Sequence, residues 1–166
     1  WPVDAIVAEN GAVAFAPQNL SRKGLQPAWN VREQLSKRYQ EDASTRADHY
    51  ARMQAVAAQV LREVPGATLS QDSAGRETDI AFDHSEFTHL PPDPIARVVA
   101  ILQASGMHAT VSSIHINGWF GQHNKWQGAR WIVRELWGLD LQAEIGQWAY
   151  VGDSTNDQLM FQHFGH

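Results

Sequence analysis

The amino-acid sequence predicts an α/β protein in which a partial parallel-sheet core is interrupted by an inserted mixed α+β block. Three observations carry this expectation. Toward the C-terminus the order is helix, short strand, acidic turn, helix, the grammar of a parallel sheet whose crossovers are helical. At the N-terminus the apolar segment Asp4 to Glu9 and the run Ala12-Val13-Ala14-Phe15 flank Asn10-Gly11, the pattern of two strands about a tight turn. Between these ends, from Gln18 to Gln122, helical and strand-like periodicities alternate without repeats or low-complexity tracts.

The elements follow in order. Pro17 to Pro27 is polar and rich in turn formers, and reads as a connection. From about Ala47 to Val64, residues Met53, Val56, Ala57, Val60, Leu61 and Val64 recur at helical spacing until Pro65-Gly66 stops them. Ala67–Ser70 and Thr78–Asp83 alternate like strands with one polar face. Asp93-Pro94 resembles an N-cap followed by a first-turn proline, with Ile95, Val98, Val99 and Leu102 as the buried stripe of a second helix and Gly106 at its end. His108 to Phe120 reads as one strand. A third helix is expected from about Lys125 to Trp137, with Trp126, Ala129, Val133 and Leu136 on one face and Gly138 as its stop. Gln147 to Val151 then reads as a strand, and a last helix begins near Thr155 or Asn156. The division that results is a core segment at 1–17, an inserted block at 18–122 and a second core segment at 123–166.

Composition narrows the function. The chain has 166 residues, 43% of them hydrophobic, and a formal net charge of -5. With 12 Gly and 7 Pro it is neither a disordered nor a collagen-like sequence. The mild acidity argues against a partner that must be held by its phosphate backbone, so no nucleic-acid partner is expected. No apolar run approaches the roughly 20 residues of a membrane helix, and no membrane partner is expected. The absence of cysteine excludes disulfides, thiolate catalysis and Cys-based zinc sites, and fits a reducing, cytoplasmic setting. The 8 His are scattered, with no HExxH-type pair. The opening Trp1-Pro2-Val3 reads as a strand already under way and the last residues stop after a short helix, so the sequence is expected to be an internal piece of a longer protein.

The strongest chemical signal is Val151-Gly152-Asp153-Ser154-Thr155-Asn156-Asp157. Two carboxylates and an amide follow directly on an apolar strand, where ligands bind in parallel α/β folds. Capping the next helix requires only one of these residues, so the cluster exceeds that role and points to a hard cation such as Mg²⁺. The second signal is Asn124-Lys125. A lysine in the first turn opposes the helix dipole, and either a fixed anionic partner or a solvated surface position accounts for it.

Taken together, Val7-Ala8-Glu9-Asn10-Gly11-Ala12, a long insertion, Asn124-Lys125 and Gly152-Asp153-Ser154-Thr155-Asn156-Asp157 closely resemble the haloacid-dehalogenase-like (HAD) phosphatases. The resemblance is to the type IIB branch, in which a mixed α/β (C2-type) cap is inserted, the branch of mannosyl-3-phosphoglycerate and sucrose-phosphate phosphatases. It covers essentially the whole chain. It implies a Mg²⁺-dependent phosphomonoesterase acting on a sugar phosphate or phosphorylated glycoside, with a small phosphorylated molecule as partner. Carried over by position, Lys125 neutralises the nucleophile and the phosphoryl group, Asp153 and Asp157 serve the metal, and Asn156 and Ser154 support them. Such enzymes form an aspartyl phosphate, and their nucleophile lies in an Asp-x-Asp motif that these residues lack, so the chain alone is expected to be inactive. The block 18–122 corresponds to the cap, with Arg76, His115 and Asn117 as substrate contacts or ordinary strand polarity, and Asn10 as a further contact or a turn former. Trp119, Trp126, Trp131, Trp137 and Trp148 read as core and cap-core packing rather than as sugar-stacking platforms, with an exposed Trp119, beside Gly118, as the alternative. A non-catalytic binding module and a phosphomutase on the same fold are the competing readings.

Overall fold

A computed structural model describes residues 3–17, 35–153 and 157–165. The described residues form two compact units. One draws on Trp1–Glu41, His123–Val151 and Leu159–His166, the other on Asp42–Gln122 and Gly152–Gln158.

In the first unit, strands β1 (Ile6–Ala8), β2 (Val13–Pro17) and β3 (Leu35–Tyr39) form an antiparallel sheet in that order. Val7 pairs with Ala14, and Ala14 with Arg38. Because side chains alternate across a strand, Ala14 and Ala16 share one face, and they pack on Ile132 and Leu136 of helix α3 (Lys125–Trp137). Alanines on the strand let the large helical side chains approach closely. Asn124 caps α3 by accepting the Gln127 N–H at 2.9 Å, and Gly138, with φ 65°, ends it. The other side of α3 presents Trp126 and Val133 to Leu141 and to Met160 of the short helix α4 (Gln158–His163). The Trp126 ring stacks on His163 with centroids 4.0 Å apart. β3 was not foreseen as a strand; its pairing with β2 places the chain through Glu41 with the first unit.

The second unit is a four-stranded antiparallel sheet, β4 (Thr68–Leu69), β5 (Ile80–Asp83), β7 (His115–Trp119) and β6 (His108–Val111) in spatial order, with helices α1 (Ala43–Glu63) and α2 (Pro92–Ala104) on one face. Ile80, Phe82 and Ile116 meet Met53, Val56 and Val60 of α1 and Val98 and Leu102 of α2 in the core. Gly118 is needed here, since a Cβ on it would lie 2.9 Å from a Leu102 methyl. By the same alternation, Ala81, Asp83, His115, Asn117, Trp119 and Thr110 lie on the opposite face. Asp42 starts α1 by accepting the Ser44 and Thr45 N–H groups, each at 2.9 Å.

Several expectations change. Every ladder among the described residues is antiparallel, and the parallel sheet is not among them. Gln147 closes a single 3-10 turn, and residues 148–151 pair with no described strand, Trp148 packing on the Trp137 ring and Tyr150 on those of Phe161 and Phe164. Val151 is 92% exposed. The segment His108 to Phe120 is a hairpin, turned where the Ser112 N–H and hydroxyl both donate to the His115 carbonyl. The second helix starts two residues earlier than expected, with Pro91 at the cap, Pro92 opening it and Asp93 in its first turn. Trp119 keeps the packing role read for it, buried with its ring stacked on His108. Among the described residues no helix is long and apolar enough to cross a membrane.

Leu102 is fully buried between sheet and helix. Leu102→Ala is expected to lower unfolding stability by about 3 kcal/mol, read as a lower urea midpoint at unchanged slope.

Candidate functional site

The acidic turn begins where the aromatic segment ends. Asp153 is exposed, and its backbone N–H donates to Asp157 Oδ2 at 3.2 Å. Asp157 is 3% exposed, so this carboxylate is turned inward and ties the turn to its own start. Ser154 and Asn156 lie outside the described residues, as does Thr155. The donor set is two carboxylates four positions apart, one exposed and one buried, with oxygen atoms only. Mg²⁺ takes one or two carboxylates from a protein and keeps several waters, and this set fits it. Among the described residues no group of three or more His, Asp or Glu gathers as a larger ligand set.

Lys125 is the first residue of α3, partly buried, directly after the Asn124 cap. The chain ahead of it packs on the turn Glu9–Gly11, whose residues have φ of 49°, 56° and 104°. Asn10 therefore sits in a left-handed conformation beside the N-terminus of α3, within the same unit as Lys125. Gln40, which the sequence did not single out, donates its side-chain amide to the Gly11 carbonyl at 2.7 Å.

The polar residues of the second unit are more committed than the sequence implied. Arg76 Nε and Nη2 bond the two oxygens of Asp72 at 2.9 and 2.8 Å, and Nη1 bonds Asp79 at 2.8 Å. Its fork is engaged within the protein rather than open to a substrate. Burial works against the Arg76 charge, but Asp72 and Asp79 outweigh it and hold the guanidinium more firmly protonated. The Arg76 fork in turn holds the Asp72 carboxyl below the usual carboxylate range, against its partial burial. His115 Nε2 lies 2.9 Å from Glu86 Oε2, and Asn117 is buried two residues along the same strand face.

Glu86 is placed by Asp83. That carboxylate is 2% exposed and accepts backbone N–H groups from Ser85, Glu86, Phe87 and Thr88 at 2.8 to 3.1 Å. Burial alone would raise the Asp83 carboxyl; the four N–H donors outweigh it and hold it below the ordinary range. The tendency of aspartate to bond the backbone just ahead of it is a signal in Asp83-His84-Ser85 that sequence reasoning passed over. His84 completes the loop, its ring nitrogens 2.8 Å from the Ser85 hydroxyl and 3.0 Å from the Ser112 carbonyl.

No protein-family profile and no curated protein matches the chain. Among solved structures, the C-terminal domain of trehalose-6-phosphate phosphatase from C. albicans is similar at a TM-score of 0.47 and 12% identity, over 77% of this chain and 46% of that one. The chain thus spans about half the length of that structure.

Asp83→Asn removes the charge and replaces one acceptor oxygen by a donor. It is expected to cost about 2–3 kcal/mol at neutral pH. Because the folded carboxyl is held below its unfolded value of about 3.9, its contribution is present above that pH and lost as pH falls through the folded value. Urea midpoints measured from about pH 7 to about pH 3 should fall less steeply in Asp83→Asn than in the parent. Asp72 and Asp42, lowered in the same direction, retain part of the slope. An unchanged slope would remove Asp83 as a source of acid lability.

Proposed function

We propose that this chain is part of a Mg²⁺-dependent phosphomonoesterase of the HAD type, acting on a sugar phosphate or phosphorylated glycoside in the cytoplasm. The observation that carries the reading is the acidic turn, in which a buried Asp157 is bonded to the backbone of an exposed Asp153. It is supported by a lysine at the first position of α3, where helix stability gives no reason for one.

In this reading Asp153 and Asp157 hold the cation, with Asn156 and Ser154 orienting them. Bound there, Mg²⁺ supplies positive charge against the oxygens of the transferring phosphoryl group. Lys125 neutralises charge on the phosphoryl oxygens and on the attacking carboxylate, which develops most strongly in the transition state. The inward turn of Asp157 keeps the Asp153 backbone fixed, so Asp153 meets its ligand without reorganisation. The attacking aspartate belongs to an Asp-x-Asp segment that these 166 residues do not contain. By the same resemblance Asn10, Arg76, His115 and Asn117 are the candidate substrate contacts, and of these Arg76 already holds Asp72 and Asp79. A phosphomutase would use the same residues and differ in its acceptor. The competing reading is a module that binds a ligand or partner without chemistry.

The test is Mg²⁺-dependent phosphate release by the complete protein from a panel of sugar phosphates. Asp153→Asn should abolish the metal-dependent turnover. Lys125→Ala should lower kcat by about a hundredfold or more with little change in KM. Binding of sugar phosphates without turnover by the parent would establish the binding module instead.

A further inference from the structure

Gly128 stands in the interior of α3, where glycine weakens a helix relative to alanine. Its backbone is helical and it serves no turn, so the reason lies in what it touches. A Cβ built on Gly128 would lie 2.5 Å from the Gly11 Cα, 2.9 Å from its carbonyl oxygen and 3.2 Å from its carbonyl carbon. All three are backbone atoms that cannot rotate aside. The converse holds at Gly11, where a Cβ would lie 2.8 Å from the Asn124 carbonyl carbon and 3.2 Å from the Gly128 Cα, and where φ is 104°.

Two backbones are thus in direct contact, and each is tied down from behind. Gln40 holds the Gly11 carbonyl at 2.7 Å, the Ala12 N–H bonds the Glu9 carbonyl at 3.2 Å, and the Gly128 N–H bonds the Asn124 carbonyl at 2.8 Å. Residues 125 and 128 are three apart on a helix and so share a face. Lys125 therefore leaves the helix on the side where the Glu9–Gly11 turn abuts it.

We propose that the Gly11–Gly128 contact is the positioning element for Lys125, setting the first turn of α3 against the turn that carries Asn10 so that both side chains issue from one rigid junction. What Lys125 does chemically rests on the phosphatase reading; the positioning does not. Gly128 and Gly11 act through Lys125 and touch no substrate.

Gly128→Ala, made in the complete protein, separates this from a structural role. Helix propensity alone predicts a more stable protein with unchanged kinetics. Positioning predicts a kcat lower by about tenfold or more at nearly constant KM, because small misplacements of a charge-stabilising group are costly. It also predicts that Gly128→Ala combined with Lys125→Ala is no slower than Lys125→Ala alone. Gln40→Ala, which loosens the turn without a clash, should lower kcat in the same non-additive way, and it decides the matter if Gly128→Ala does not fold. In NMR spectra either variant should shift the Asn10 and Gly11 amides and the Lys125 side-chain resonances while leaving the core of the second unit unmoved. If the parent releases no phosphate from any ester, the phosphatase reading falls and the NMR arm alone judges the positioning. Unmoved Lys125 resonances, or kinetic deficits that add in the double variants, would overturn the proposal.

Discussion

A carboxylate at each end of a buried strand commits the chain around it. β5 is buried along its whole length at the centre of its sheet, with Asp79 just before it and Asp83 as its last residue, 1% and 2% exposed. An uncompensated buried charge is far costlier than any surface pairing, so both must be bonded. Asp79 recruits Arg76, which recruits Asp72. Asp83 recruits the backbone N–H groups of the four residues Ser85 to Thr88. The loops at both ends of the strand are thereby set, and with them the positions of Arg76, Glu86 and His115.

This constraint changes what those polar residues are available to do. An arginine on a strand surface is a natural partner for a phosphate, yet here three of its nitrogens serve two aspartates. His115 is likewise shared with Glu86. The polar face of this sheet is ordered before any ligand reaches it. Order of that kind reduces what a bound ligand must organise, and it narrows which side chains are left to recognise one.

The first unit reaches its order by another route. Its central contact is between backbones, Gly11 against the first turn of α3, and side chains matter there chiefly by being absent. Glu9 and Asn10 are held at positive φ, a conformation that persists only where the surroundings over-determine it. The hydrogen bond from Gln40 and the cap at Asn124 supply that surplus. The acidic turn shows the same economy, since a single buried carboxylate, Asp157, bonds the backbone of the residue four before it.

The elements with strong local signals were legible in the sequence. The third helix runs from Lys125 to Trp137 as its cap, apolar stripe and terminal glycine predict, and the first helix and the strands about Asn10-Gly11 follow equally from periodicity and turn chemistry. The residue types of the acidic turn, and the oddity of a lysine at a helix N-terminus, were also plain from sequence. What tertiary structure decided was pairing and satisfaction. Whether Gln147 to Val151 is a strand depends on a neighbour to bond its backbone, and whether Leu35 to Tyr39 is one depends on β2 lying beside it. Likewise Arg76, a free fork in sequence, is a clamped one in the fold, because Asp79 is buried three residues away. Helices make their hydrogen bonds within themselves and so can be read locally, whereas strands and touching glycines take their meaning from residues distant in the chain, and a buried charge from the burial that the fold imposes on it.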